Sequence, residues 1–431
     1  MIIGRKNEIE RLNNCYDSDQ SSFVVLYGRR RVGKTFLINE VYKDNIIFRH
    51  TGSRIGSTEV QLEAFADSLK DWGLNNFSKP KTWIEAFSLL KELINKSNKR
   101  KKVIFIDELA WMGENDLLLL SALETFWNNW AYPRTDIILV ICSSVSSWIV
   151  NHILNDNGGF YDRVTCKMQI FPFTLKECED YSKHFNLPFK RIDIMETYMC
   201  LGGIPYYWSF LKKEFSFRDN MDYLFFSDNA PLKDEFNVLY SSLFNKPDEY
   251  EKIINGLSSK RIGLTKKELV NVTKIVDNGI LSERLKNLCS CGFIRQYNKL
   301  GNKNRDALYQ VIDNYTIFYL KFLKNVNYDN NRFSHLMNTN IYNTWKGLAF
   351  EQVCLLHVNE IKKALGINGI MSGVCSYNST KNEEKNLNGT QVDLVMIRND
   401  RVINIFEMKY YKDEFVPTIE FENNMMKIFP L

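Results

Sequence analysis

The alternation of apolar and polar positions divides the first third of the chain into short buried runs separated by amphipathic stretches. The segments 23–27, 45–50, 103–106 and 136–142 are apolar through their centres, which predicts strands buried inside a sheet. Between them lie helical patterns: residues 2–12, a helix from Thr35 onward with Phe36, Leu37 and Val41 on one face, and helices over 58–72, 82–94 and 117–130. Strands alternating with helices predict a parallel sheet covered on both faces. From 206 to 247 the pattern is helical and rich in aromatic residues. Residues 248–325 read as three helices, over 249–259, 265–273 and 279–293, followed by two alternating strands with a turn at 301–304. A polar, Asn-rich stretch, 326–340, reads as a linker, and a last domain begins at Ile341.

The segment joining the first strand to its helix reads GRRRVGKT, from Gly28 to Thr35. It fits G-x-x-x-x-G-K-[ST] in the strand–loop–helix setting that the phosphate-binding P-loop requires. Gly28 and Gly33 permit backbone angles that let successive N–H groups converge on a phosphate, and the helix N-terminus adds its partial positive charge. The expected nucleotide-binding residues are Gly28, Arg29, Arg30, Arg31, Val32, Gly33, Lys34, Thr35 and Phe36. Lys34 is expected to reach the β- and γ-phosphates, and Thr35 to ligate Mg²⁺. The third strand ends in Asp107-Glu108, an apolar run closed by two carboxylates in the Walker B manner. Asp107 is expected to hold the Mg²⁺ shell and Glu108 to polarise the attacking water. At the next strand end, the serine-rich segment 143–147 provides either a γ-phosphate sensor, Ser143 or Ser144, or a helix cap. Arg163 is either a cation that stabilises transition-state charge, in cis or across a subunit boundary, or a solvated surface charge.

Together these segments resemble the archaeal-type ATPase family within the AAA+ and STAND-related group. The matching elements are IIGRKNEIERL, GRRRVGKT, FIDEL, the serine-rich strand end, the arginine ahead of FPFTLKE, and Gly202-Gly203-Ile204-Pro205. The resemblance implies a P-loop parallel-sheet core over 1–172 and a helical lid over 173–247. It places Pro205 near the adenine, whereas the residues alone would make a plain turn between helices.

Residues 248–325 have the order of a winged helix. Seven Lys/Arg against three acids between Lys260 and Lys286 are compatible either with DNA phosphate contacts or with a protein-docking module. In the last domain, 341–431, Asp393 is followed after thirteen residues by Glu407-x-Lys409, on two apolar strands, with Glu351 upstream in a helix. Two carboxylates and a lysine on one face suit Mg²⁺ and phosphodiester attack. The pattern resembles the PD-(D/E)xK nuclease superfamily, which implies a restriction-endonuclease-like α/β domain with Glu351, Asp393 and Glu407 on metal and Lys409 catalytic. The sequence runs only 22 residues beyond Lys409, so a shortened version of that domain is expected. A two-residue turn at Asn399-Asp400 would put Asp393 and Glu407 on opposite faces; an odd loop such as 399–401 would put them on one.

Composition narrows the class without changing it. A net charge of +5 over 431 residues makes any nucleic-acid contact a local patch. Nine scattered cysteines suit a reducing cytoplasm, and Cys289 with Cys291 reads as core packing rather than half of a zinc site. The opening residues lack a signal-peptide pattern, and no apolar run is long enough for a membrane span. The expected protein is a cytoplasmic, ATP- and Mg²⁺-dependent ATPase, in either monomeric or homo-oligomeric form. Its nucleotide state would control a winged helix and a nuclease-like domain acting on DNA. The competing readings are a nucleotide-gated switch or transcription regulator whose last domain is an inactive platform for partners.

Overall fold

The computed structural model describes residues 1–113, 116, 118–155, 159–160, 162–298, 307–324, 333–379, 390–411, 414, 416–419 and 422. The expected wing turn at 301–304, the first part of the expected linker and the tail beyond 422 lie outside the described residues.

The apolar runs form the expected strands: β1 (Ser22–Tyr27), β2 (Ile46–Thr51), β3 (Lys102–Asp107) and β4 (Ile137–Ser143), with β5 (Cys166–Gln169) added at one edge. All are parallel, in the order β2-β3-β4-β1-β5. Period-two alternation splits β1 between two cores, with Phe23 and Val25 facing one helical layer and Val24 and Leu26 the other. Because β4 separates β1 from β3, the P-loop and the Asp107 strand end lie two strand spacings apart, about 10 Å. The helix Lys34–Tyr42 spans that gap. Its buried face carries Leu37, Ile38 and Tyr42, whereas Phe36, grouped with Leu37 on one face and named among the expected nucleotide-binding residues, is 51% exposed and lines a cavity.

Helices Leu175–His184, Arg191–Leu201, Pro205–Trp208, Phe217–Phe225 and Glu235–Leu243 cover the phosphate-loop end. Then come helices Pro247–Ser258, Lys266–Thr273 and Gly279–Ser290 with β6 (Leu264–Thr265), β7 (Ile294–Tyr297) and β8 (Leu308–Val311) in an antiparallel sheet, β6-β8-β7. Thr265 and Glu268 cap the second helix reciprocally, the local reason it starts at Lys266. Cys291 is buried in the main core, as expected of a packing residue. The helix Asn314–Phe322 returns to pack on Arg191–Leu201. In the described part of the expected linker, Phe333–Leu336 is helical, and Phe333 is fully buried beside Phe217, Phe318 and Tyr342.

The C-terminal part packs β9 (Ser372–Ser379), β10 (Thr390–Arg398) and β11 (Ile403–Phe406) as an antiparallel sheet. Leu394 and Met396 meet Phe350 and Cys354 of the helix Asn340–Leu356. No described helix is long and apolar enough to cross a membrane.

Candidate functional site

The loop after β1 turns sharply because Gly28, at φ +138°, passes so close to Ile170 that a Cβ would meet its carbonyl oxygen at 2.4 Å. Gly33 (φ +88°) and Arg31 (φ +71°) complete the turn into the helix. The Lys34 ammonium, nearly buried, donates to the carbonyls of Gly28 at 2.9 Å and Arg29 at 3.0 Å. The Thr35 hydroxyl donates to the Asp107 carboxylate at 2.6 Å, joining the expected metal-holding residues across the two-strand gap. The other Asp107 oxygen accepts the Glu108 N–H at 3.0 Å. This pair of hard oxygen donors beside the phosphate loop fits Mg²⁺.

Glu108 sits at φ +51°, and its carboxylate accepts both the N–H (2.9 Å) and the O–H (2.8 Å) of Ser144. The Ser143 hydroxyl instead accepts the Val145 N–H at 3.1 Å, a turn contact. The serine-rich strand end thus divides between the two open roles, with Ser144 on the Walker B glutamate and Ser143 on the chain turn.

A cavity of about 730 Å³ runs from this cluster toward the helices Leu175–His184 and Pro205–Trp208, a size that suits a nucleotide. Its polar end carries Arg30, Arg31, Lys34, Thr35 and Glu108, with Val32 and Phe36 alongside. Its apolar end is built by Ile2, Ile3, Phe173, Tyr181, Phe185 and Pro205. Pro205, expected near the adenine, lines this end of the cavity. Sequence reasoning missed Ile2, Ile3, Tyr181, Phe185 and Trp111, whose ring lies 5.7 Å from the Arg30 guanidinium. The signal for the first two lay in the opening segment IIGR, where Arg5 donates to the carbonyls of Val32 (3.2 Å) and Phe171 (2.6 Å) and so holds the segment against the P-loop.

Three arginines direct their side chains to partners that the sequence did not show. The Arg29 side chain does not face the cavity; it forms a buried ion pair with Asp313, just beyond β8, above the Phe293 ring. The Arg31 side chain, though it reaches the cavity, pairs with Glu235 of a lid helix and lies over Tyr206 at 4.4 Å. Burial pushes the Glu235 carboxyl up, against the Tyr207 hydroxyl and Arg31 that hold it down. Arg163 lies just ahead of β5, where Thr165 bonds Phe23 near the start of β1, and its guanidinium stacks on Tyr132. That is the sheet edge opposite the P-loop, a strand length of roughly 20 Å away, so no role in cis is open to it.

In the C-terminal unit the hairpin loop is 399–401, the odd form. The register Leu394↔Phe406 sets Asp393 opposite Glu407, on one side. Burial and the neighbouring Asp393 push the Glu351 carboxyl up, against Arg261 and Lys409. The four residues thus converge, but not as a metal site. Glu351 is held by Arg261, Glu407 by Lys409, and Asp393 accepts the Met408 N–H at 2.9 Å. Among the described residues no three acidic, His or Cys side chains come close enough to hold a metal. The expected shared Mg²⁺ on Glu351, Asp393 and Glu407 does not fit.

Residues 2–210 match the profile of an ATPase domain found predominantly in Archaea. The chain is 24% identical over 380 residues to an uncharacterised protein of Methanocaldococcus jannaschii, covering 84% of this chain and 79% of the relative. An ATP-binding protein of the same organism is 41% identical over 49 residues, 11% of this chain and 83% of the relative. The Walker-type ATPase of Pyrococcus abyssi shares the fold, with a TM-score of 0.54 at 14% identity, over 74% of this chain and 96% of that one. Residues 2–210 carry a P-loop ATPase domain of the kind found predominantly in Archaea, on a fold shared with that Walker-type ATPase.

Proposed function

We propose that this protein is an ATP-hydrolysing switch whose nucleotide state is passed to a winged helix, residues 248–325, and to a C-terminal partner platform. The observation that carries it is the pair of P-loop arginines: Arg29 holds Asp313 after the wing, and Arg31 holds Glu235 in the lid. A phosphate loop that shifts on binding ATP moves both partners with it. In this reading Lys34 and the loop N–H groups bind the β- and γ-phosphates, and Thr35 and Asp107 hold Mg²⁺, which neutralises phosphate charge. Glu108 orients the attacking water once Ser144 releases it, and accepts its proton.

Charge bookkeeping favours a protein partner over DNA. Of the seven cations between Lys260 and Lys286, four are spent on carboxylates: Lys260 on Glu268, Arg261 on Glu351, Lys266 on Asp277 and Arg284 on Glu249. Lys267, Lys274 and Lys286 remain, a weak footprint against the phosphate spacing of a duplex. The C-terminal acids, already occupied by cations and an N–H, suit a platform better than a nuclease.

The test measures phosphate release and Mn²⁺-dependent plasmid nicking together for wild type, Lys34→Ala, Glu108→Gln and Lys409→Ala. Lys34→Ala is expected to lose ATP affinity and turnover together. Glu108→Gln should retain ATP while turnover falls about 100-fold or more, in the range of a lost general base. Nicking should be absent throughout. Unchanged turnover in Lys34→Ala would overturn the phosphate assignment, and nicking lost in Lys409→Ala would overturn the platform reading.

A further inference from the structure

Among the described residues, four side-chain cations line the nucleotide cavity, and three of them are committed within the protein. Arg5 pairs with Glu8 and donates to the carbonyls of Val32 and Phe171. Arg31 pairs with Glu235. Lys34 donates to the carbonyls of Gly28 and Arg29. Arg30 differs: half-buried, it pairs with no carboxylate and donates to no carbonyl among the described residues. Its guanidinium lies instead over the Trp111 ring, 5.7 Å from the ring centre.

That ring shows which way Arg30 points. Trp111 stands in the first turn after Glu108, its N–H donating to the Glu108 carbonyl at 3.0 Å. The loop that carries Arg30 follows β1, and β4 separates β1 from β3, so the side chain reaches across the sheet end toward Asp107 and Glu108. Thr51, which ends β2 beside Asp107, lies in the same cavity wall. Arg31, one residue on, turns the other way and lies over Tyr206, next to Pro205. The two arginines therefore diverge, Arg31 toward the apolar end and Arg30 toward the end that holds Lys34, Thr35 and Glu108.

Hydrolysis develops its charge at that end. The water oxygen bonds to the γ-phosphorus as the bond to the β–γ bridging oxygen breaks; the water proton passes to Glu108, and ADP leaves with the bonding electron pair. Charge is spread over the three equatorial γ oxygens and the leaving oxygen, and an arginine placed against them accelerates the step strongly. A planar guanidinium can meet two phosphate oxygens at once, which an ammonium cannot. Arg163, at the opposite end of the sheet, supplies no such group in cis.

We propose that Arg30 is the transition-state arginine of this ATPase, acting in cis: its guanidinium donates to the equatorial oxygens of the transferring γ-phosphoryl group. Trp111 is its positioning residue, holding the guanidinium at the Glu108 end of the cavity through the ring face. This assignment rests on the hydrolytic reading above and adds a second catalytic group to it.

The test uses the full chain as wild type, Arg30→Met, Arg30→Lys and Trp111→Leu. The readouts are phosphate release at saturating ATP, affinity for fluorescent ADP, and retention of ADP with aluminium fluoride, which mimics the transferring phosphoryl group. Arg30→Met is expected to lower turnover about 10²–10³-fold, the range for one lost transition-state donor, and to abolish retention with aluminium fluoride while ADP affinity changes less than about 3-fold. Arg30→Lys keeps the charge without the fork and should recover no more than about a tenth of wild-type turnover. Trp111→Leu should lower turnover about 2- to 5-fold, matching a lost cation–π contact, with ADP affinity unchanged. Mixing Arg30→Met with Lys34→Ala should restore no turnover, since the arginine serves its own chain. Should Arg30→Met fail to fold, Arg30→Lys decides. Unchanged turnover in either Arg30 variant, an ADP affinity that falls as far as turnover, or activity restored by mixing would each overturn the assignment. Wild-type turnover in Trp111→Leu would remove Trp111 from it. All of these outcomes leave the hydrolytic reading intact; a wild type that releases no phosphate would overturn both.

Discussion

At the residue scale, the informative contact is between Ser144 and Glu108. A carboxylate oxygen that accepts two hydrogen bonds from one serine is already engaged and is less available to orient an attacking water. The hydroxyl contact is charge-assisted and contributes on the order of 1 kcal/mol or more. Ser144→Ala is therefore expected to raise turnover at saturating ATP about 5-fold with ATP affinity unchanged, as judged by steady-state phosphate release. A fall as deep as that in Glu108→Gln would show instead that Ser144 serves the reacting water or phosphate. The contact was only half legible in the sequence. The position of Ser143 and Ser144 at a strand end could be read, but which serine faces Glu108 depends on the pleat of β4 and on the positive φ of Glu108, neither of which has a sequence signature.

At the element scale, the strands, the P-loop and the Asp107 strand end could be read directly, because a buried parallel strand must be apolar along its length. The far partners of Arg29 and Arg31 could not: Asp313 lies 284 residues from Arg29, and nothing local marks it. Phe36 is grouped on a helix face with Leu37 and Val41 in the sequence and also named among the nucleotide-binding residues; it lines the cavity, while Leu37 is buried in the core. The C-terminal hairpin shows the converse, since its geometry was stated as a condition and the turn decided it. Arg398 and Val402 close the loop, and Arg401 adopts φ +66°. A turn followed by one left-handed residue is the usual three-residue hairpin connection. Glycine takes that conformation without the Cβ clash, so Arg401→Gly is expected to stabilise the hairpin by about 0.5–1 kcal/mol and Arg401→Val to destabilise it by a similar amount. Amide exchange across 392–406 measures both, and equal protection in the two variants would contradict the turn assignment.

At the scale of the whole molecule, the Arg29–Asp313 pair ties the ATPase domain to the segment beyond β8. Both side chains are under 5% exposed, and the Nε and Nη2 atoms of Arg29 have no other partner. Asp313 also caps the next helix, accepting from the N–H (3.0 Å) and hydroxyl (2.6 Å) of Thr316. Removing the cation alone leaves a buried carboxylate uncompensated, which costs about 3–5 kcal/mol. Arg29→Met should destabilise the full chain by that order. The double variant Arg29→Met/Asp313→Asn, which keeps the cap but removes the stranded charge, should lose at least about 1.5 kcal/mol less than the two single variants added together. Urea unfolding of the four proteins closes the cycle, and additive losses would mean that the two ends are not coupled.

Arg29 and Arg31 occupy positions that the phosphate-loop motif leaves unspecified, so their side chains are open to other uses. Here those uses lie in Asp313 and Glu235. It follows that the phosphate loop is not an interchangeable cassette in this protein. Grafting the loop of another ATPase, however well it grips phosphate, would strand two distant buried acids. The smallest transplantable unit is the loop together with positions 235 and 313. Natural exchange of ATPase cores between such chains would therefore be expected to carry matched changes at all four sites.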